Sequence, residues 1–288
     1  ASLLVVGIVA ALIWIRPLLT ADARRENTLE KLAARGIDDV IVVDASFEDV
    51  TVCAYATAMV PVDAPLVVFV HGSPGDWTDF VELLADPVLR DGTRMVSVDR
   101  LGYGGSDLGD PEPSMARQAA AVISVLDALD VERAVLVGHS LGGPVVARAA
   151  MDFPERVAAI VPVGSSADPT LEETPWYQHL GAARLVRPLL PPMIDVCNRE
   201  ILPHRHELRA MERRWHSILC PVVILHGTDD VLVPVQNVDF MAARVRADLL
   251  TVHRVEGMNH FVPWTHPQRL REAILDAVAA SGTLRAAG

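Results

Sequence analysis

The sequence predicts an α/β protein: a doubly wound, mostly parallel eight-stranded sheet with helices on both faces and a helical insertion late in the chain. Three observations carry this. Short apolar runs at residues 66–70, 95–98, 134–137, 157–163 and 222–225 each lead into a glycine-bearing turn or polar loop, as suits parallel strands buried on both faces. Stretches of helical composition at 114–129, 141–151, 235–245 and 267–280 alternate with them, which implies βαβ units. Residues 165–217 break that rhythm, with four prolines between Pro175 and Pro192 and no strand-like run.

Taken in order, the chain opens on an uncharged apolar run of 15 residues, Ala1 to Ile15, or 19 if Arg16 is accommodated. A bilayer crossing needs about 20. Three readings stay open for it: a single-pass anchor, a secretory signal with a cleavage site near Ala21-Asp22-Ala23, and a helix covering an apolar patch of the protein. The length favours membrane association through residues 1–19, with secreted or cytoplasmic placement as the alternatives, and the arginines that follow would keep the body cytoplasmic. Residues 39–60 alternate as a pair of antiparallel edge strands, and 249–255 supplies the last strand. The expected organisation is a hydrophobic helix at 1–23, a core at 24–164 and 218–288, and the insertion at 165–217.

Composition narrows the function classes. Apolar residues make up 51% of the chain and charged ones 22%, a globular balance. A net charge of −12 argues against nucleic acid, whose binding needs clustered Lys and Arg. The three cysteines, Cys53, Cys197 and Cys220, are odd in number and widely spaced, so neither a disulfide framework nor a zinc site is expected. His204-Arg205-His206 is set aside as a metal site, because i and i+2 on a helix diverge and no third ligand is near in sequence.

The chemistry concentrates at strand ends. Gly138-His139-Ser140-Leu141-Gly142-Gly143 follows the apolar run AVLV and precedes a helical stretch. A G-x-S-x-G turn between strand and helix exposes a serine in a strained conformation, with glycines where a Cβ would clash, which makes Ser140 the nucleophile candidate. His139 beside it reads as structural or pocket-lining. Acyl transfer also needs two backbone N–H donors for the oxyanion. Leu141 supplies one and Ser73, in His71-Gly72-Ser73-Pro74-Gly75, the other, since Pro74 has no N–H. Asp229 and Asp230 follow a late strand, and only one can reach the histidine, because neighbouring side chains diverge at a strand end. His260, after the last strand, is the general-base candidate. Asp99 and Ser106 read as loop-shaping residues, and Cys197 as a small buried hydrophobe.

In these motifs the sequence resembles the α/β-hydrolase family from Asp39 to the C-terminus. His71 to Gly75, Asp99-Arg100-Leu101-Gly102-Tyr103-Gly104-Gly105-Ser106, Gly138 to Gly142, Gly227-Asp230-Pro234 and Gly257-His260-Phe261 match its patterns in order. The resemblance selects Asp230 over Asp229, and makes the insertion a cap over the site. Trp176, Tyr177 and Met193, with Leu180, Leu185, Leu189, Leu190 and Trp215, are its candidate pocket residues. Ser140 argues against dehalogenase and epoxide-hydrolase members, which carry an aspartate there. The expected activity is cofactor-free cleavage of a small-molecule carboxylic ester with an apolar part through an acyl-enzyme. Carbon–carbon bond, lactone, thioester and amide hydrolysis, acyl transfer and perhydrolysis stay open, as does a non-catalytic binding protein on the same scaffold. Oligomeric state is not readable.

Overall fold

The computed structural model describes residues 26, 29–30, 32–34, 36–57 and 64–285. Its sheet runs β1 (Val40–Phe47), β2 (Val50–Thr57), β3 (Leu66–Val70), β4 (Arg94–Val98), β5 (Ala134–His139), β6 (Val157–Val163), β7 (Val222–Gly227) and β8 (Leu250–Val255). In space the order is β1-β2-β4-β3-β5-β6-β7-β8. β2 is antiparallel to both neighbours and the remaining pairs are parallel. The continuous apolar runs are central: β3, β5 and β7 are buried along their whole length. The edge strands β1 and β8 alternate between cover and solvent, as their mixed sequences require.

Helices complete two apolar layers. On one face α3 (Met115–Ala128), capped by the Ser114 side chain, and α4 (Gly142–Asp152) pack with Trp215, Phe240 and Met241, the last two from α7 (Gln236–Ala242). The other face holds Trp77 and Phe80, α1 (Val81–Leu84), Leu89 of α2 (Pro87–Gly92), Val262 of α8 (Val262–Thr265), and α9 (Pro267–Arg285). The chain crosses from β4 over β3 to β5, so its winding reverses between β3 and β5. Ligands of such sheets bind outside the carboxyl ends of the strands at that reversal.

Between β6 and β7 lie α5 (Trp176–Gly181), a tight turn at Arg187–Leu189, α6 (Pro192–Met211) and a second turn at Glu212–Ser217. Trp215 is sunk into the core, while Met193 and Val196 of α6 pack on Tyr103. The expected membrane localisation is corrected: among the described residues no helix is long and apolar enough to cross a membrane. The long helices α6 and α9 interleave charges with their apolar positions, as in Asp195, Arg199 and Glu200 or Arg271, Glu272 and Asp276. Residues 1–23, where that expectation rested, lie outside the described residues.

Candidate active site

Ser140 stands where β5 turns into α4, with φ at +54°, a left-handed conformation for a residue bearing a side chain. The turn is that tight because backbone occupies the space on both sides. A Cβ on Gly138 would overlap the Gly142 carbonyl, and one on Gly142 would overlap the carbonyls of Val70 and His71. Ser140 accepts from the Gly143 N–H at 3.0 Å, and its own N–H donates to Val163 at 2.9 Å. Strain of this kind persists only where its surroundings enforce it.

The loop after β3 lies against this turn: a Cβ on Gly72 would come within 3.0 Å of the Ser140 Cβ. Neither the Ser73 nor the Leu141 N–H has a hydrogen-bond acceptor among the described residues. Leu141 is the N-cap of α4, where the first amides of a helix are left open.

From the strands beyond come Asp230 and His260. His260 Nδ1 and Asp230 Oδ2 are 2.7 Å apart, both side chains almost wholly buried. The other oxygen, Oδ1, accepts from the N–H groups of Leu232 at 3.0 Å and Val233 at 2.8 Å. Burial alone would raise the Asp230 carboxyl. Hydrogen bonds from His226 and His260 outweigh it and hold the group below the usual carboxylate range. Asp229 is exposed and bonds to Thr228 instead. Gly164, after β6, leaves room for the pair, since a Cβ there would sit 3.3 Å from Asp230 Oδ2 and 3.4 Å from His260 Nδ1. Among the described residues no hydrogen bond joins Ser140 Oγ to His260; such bonds are often long before substrate binds.

His139 is buried beside the serine. Its Nε2 donates to the His260 carbonyl at 2.9 Å, and the two rings lie 4.8 Å apart. Burial, helped by His260, lowers its pKa to about 3. Asp99 shapes its loop by accepting from the N–H groups of Trp77 and Gly105, each at 2.8 Å. Ser106 Oγ accepts from Cys53 N–H and donates to the Asp99 carbonyl.

The candidate pocket residues divide. Met193 is buried, Trp215 belongs to the core, and Trp176, Tyr177, Leu180, Leu185 and Leu189 are exposed. For Trp176, Tyr177 and Leu180 the reason is local, because the six-residue α5 buries none of its side chains. Exposed apolar residues also come from the acid and histidine loops: Val231, Leu232, Phe261 and Trp264. His204 is buried, with Nε2 2.8 Å from Ser166 Oγ, whereas His206 is exposed.

Sequence reasoning missed His226, whose Nε2 donates to the Val233 carbonyl at 2.9 Å and lies 3.4 Å from Asp230 Oδ2. A buried polar cluster was also missed. Arg100 and Glu200 form a fully buried ion pair at 2.7 Å, joined by Tyr103, Gln118 and Ser73.

A family model described as alpha/beta hydrolase fold matches residues 65–186. A non-heme chloroperoxidase of Streptomyces lividans is 30% identical over 75% of this chain and 92% of its own length. The chain belongs to the α/β-hydrolase family. Within it, a 2-hydroxy-6-oxononadienedioate/2-hydroxy-6-oxononatrienedioate hydrolase of Paraburkholderia phymatum is 26% identical over 73% of this chain and 85% of its own. The carboxylesterase CesB of Bacillus subtilis superposes with a TM-score of 0.67, covering 90% of this chain and 98% of its own at 20% identity, a likeness of fold. The chain is thus a hydrolase by family, and the bond it cleaves is a question for the site.

Proposed function

We propose that this hydrolase is a serine esterase acting on a small carboxylic ester with an apolar part, through an acyl-enzyme that water resolves. The supporting observation is the buried Asp230–His260 pair, 2.7 Å apart, at the strand ends beside a serine held at positive φ. In this reading Ser140 attacks the ester carbonyl and His260 Nε2 takes its proton, then returns it to the departing alcohol. Asp230, kept ionised, fixes the Nδ1–H tautomer and stabilises the imidazolium. The open N–H groups of Ser73 and Leu141 receive the oxyanion. Water deprotonated by His260 then releases the acid. The exposed apolar side chains of α5 and of the acid and histidine loops support an apolar substrate part.

The decisive experiment labels the protein and its Ser140→Ala variant with a fluorophosphonate, beside a p-nitrophenyl ester series of increasing acyl length. Labelling lost in the variant, with turnover peaking at one chain length, is expected. A folded wild type that neither labels nor turns over any ester would overturn the reading. The relatives' names span a chloroperoxidase and a dienedioate hydrolase, so hydrogen peroxide is run against water as the acyl acceptor.

A further inference from the structure

The loop that offers the Ser73 N–H is held from behind. Arg100, fully buried, donates from Nε to the His71 carbonyl at 3.0 Å and from Nη2 to the Gly72 carbonyl at 2.9 Å. Its backbone N–H donates to His71 Nε2 at 3.0 Å, which leaves His71 Nδ1 to donate to the same Gly72 carbonyl at 2.8 Å. A trans peptide unit is planar, and its C=O and N–H point to opposite sides. The Gly72 carbonyl and the Ser73 N–H belong to one such unit. Tying the oxygen to Arg100 therefore turns the N–H to the opposite side, where it has no acceptor among the described residues. A cation on the carbonyl also polarises the amide and strengthens its donor.

Arg100 is itself oriented from α6 in the insertion. Glu200 takes Nη1 on Oε1 at 2.7 Å and Nη2 on Oε2 at 3.0 Å, a two-pronged pairing that fixes the guanidinium plane. Tyr103 OH donates to Oε2 at 2.7 Å, Gln118 Nε2 to Oε1 at 3.1 Å, and Ser73 Oγ lies 2.9 Å from Oε2 and 2.6 Å from Tyr103 OH. The side chain of Ser73 is thus drawn toward the insertion while its N–H is left free.

We propose that Arg100 is a positioning residue that aims the Ser73 N–H at the oxyanion, and that Glu200 makes this aim depend on α6 being seated. The proposal rests on the esterase reading and extends it: a hydrolase without α6 docked has its nucleophile but not both oxyanion donors. Arg100 touches no substrate; it acts through one peptide plane.

The test uses Arg100→Lys, which keeps a cation facing Glu200 but loses the fork that grips two carbonyls at once. Rates are normalised to fluorophosphonate-titrated sites, so unfolded protein does not count. On a p-nitrophenyl ester, kcat should fall by about 10- to 100-fold, short of the loss of a whole oxyanion donor, with KM moving less than about threefold. A trifluoromethyl ketone, whose hemiketal oxygen mimics the oxyanion, should lose affinity by the same factor as kcat. Unchanged kcat, or a lower kcat with unchanged inhibitor affinity, overturns the proposal. Should Arg100→Lys not fold, Glu200→Asp keeps both charges and draws the pairing back by one methylene, and the same paired loss is required of it. Wild-type labelling comes first: its failure sinks the esterase reading, whereas success followed by indifferent variants sinks only this inference.

Discussion

The turn that carries Ser140 and the loop that carries Ser73 lie against each other but are held by different means. The first is shaped by close packing that leaves no space for a Cβ, from within the turn at Gly138 and from the carbonyls of Val70 and His71 at Gly142. The second is held by side chains, His71 within the loop and Arg100, Tyr103 and Glu200 far along the chain. A nucleophile can be placed by local sterics, because its requirement is one strained φ. A peptide plane is set by what its carbonyl is bonded to, and here that is His71 together with a buried ion pair spanning core and insertion.

The largest effect expected at the strand-end machinery is on turnover. Asp230→Asn should lower kcat by about 10⁴-fold, since an amide can leave the imidazole in the wrong tautomer. The urea midpoint, read beside the rate, shows whether the fold survives; a loss below about tenfold would remove Asp230 from the role proposed for it. Gly142→Ala sharpens the comparison from the steric side. The added methyl meets the Val70 and His71 carbonyls, so a loss of about 3 kcal/mol is expected by denaturant titration, as for an overpacked core site. Near-equal stability would mean the turn is not set by that contact.

Acid provides the smallest and most graded effect. Burial, with His260 as a lesser cause, lowers His139 to about 3, and burial with Arg100 nearby lowers His204 to about 4. The unfolded chain protonates both near pH 6.5 while the folded chain does not, so stability declines as pH drops from 6.5 toward 4. Each group contributes at most about 1.4 kcal/mol per pH unit. Urea midpoints between pH 7 and 5 should fall less steeply in His204→Gln than in the wild type. Identical slopes would show that His204 does not carry its share.

Much of this was legible in the sequence, for a physical reason. Strands buried on both faces write themselves as unbroken apolar runs, and a serine at the end of one, flanked by glycines, marks a turn whose geometry is local. The position of Asp230 beside Asp229 took the family pattern to choose, and the buried pairing with His260 lies on the Asp230 side. What stayed hidden depends on contacts across the fold. Glu200 is one acid among several charged residues of α6, and nothing in its neighbourhood distinguishes it from a solvated one. Arg100 stands within the Asp99–Ser106 motif, yet its direction inward, beneath the loop after β3, is set by packing. For Trp176 and Tyr177 the sequence does not show exposure: both lie open to solvent, because a helix of one and a half turns has no buried face to offer.

The reach of Glu200 has a consequence for how the molecule comes into being. It meets Ser73 across 127 residues of chain and Arg100 across 100. A chain made from its N-terminus emerges with β3 and the Ser140 turn long before α6, and contacts so distant in sequence close late. The Ser140 turn therefore emerges before the anion that pairs with Arg100. Completion of α6 brings that anion to the loop after β3, and Asp230 and His260 follow later still in the chain, so in the proposed reading the serine is made well before the groups that would use it.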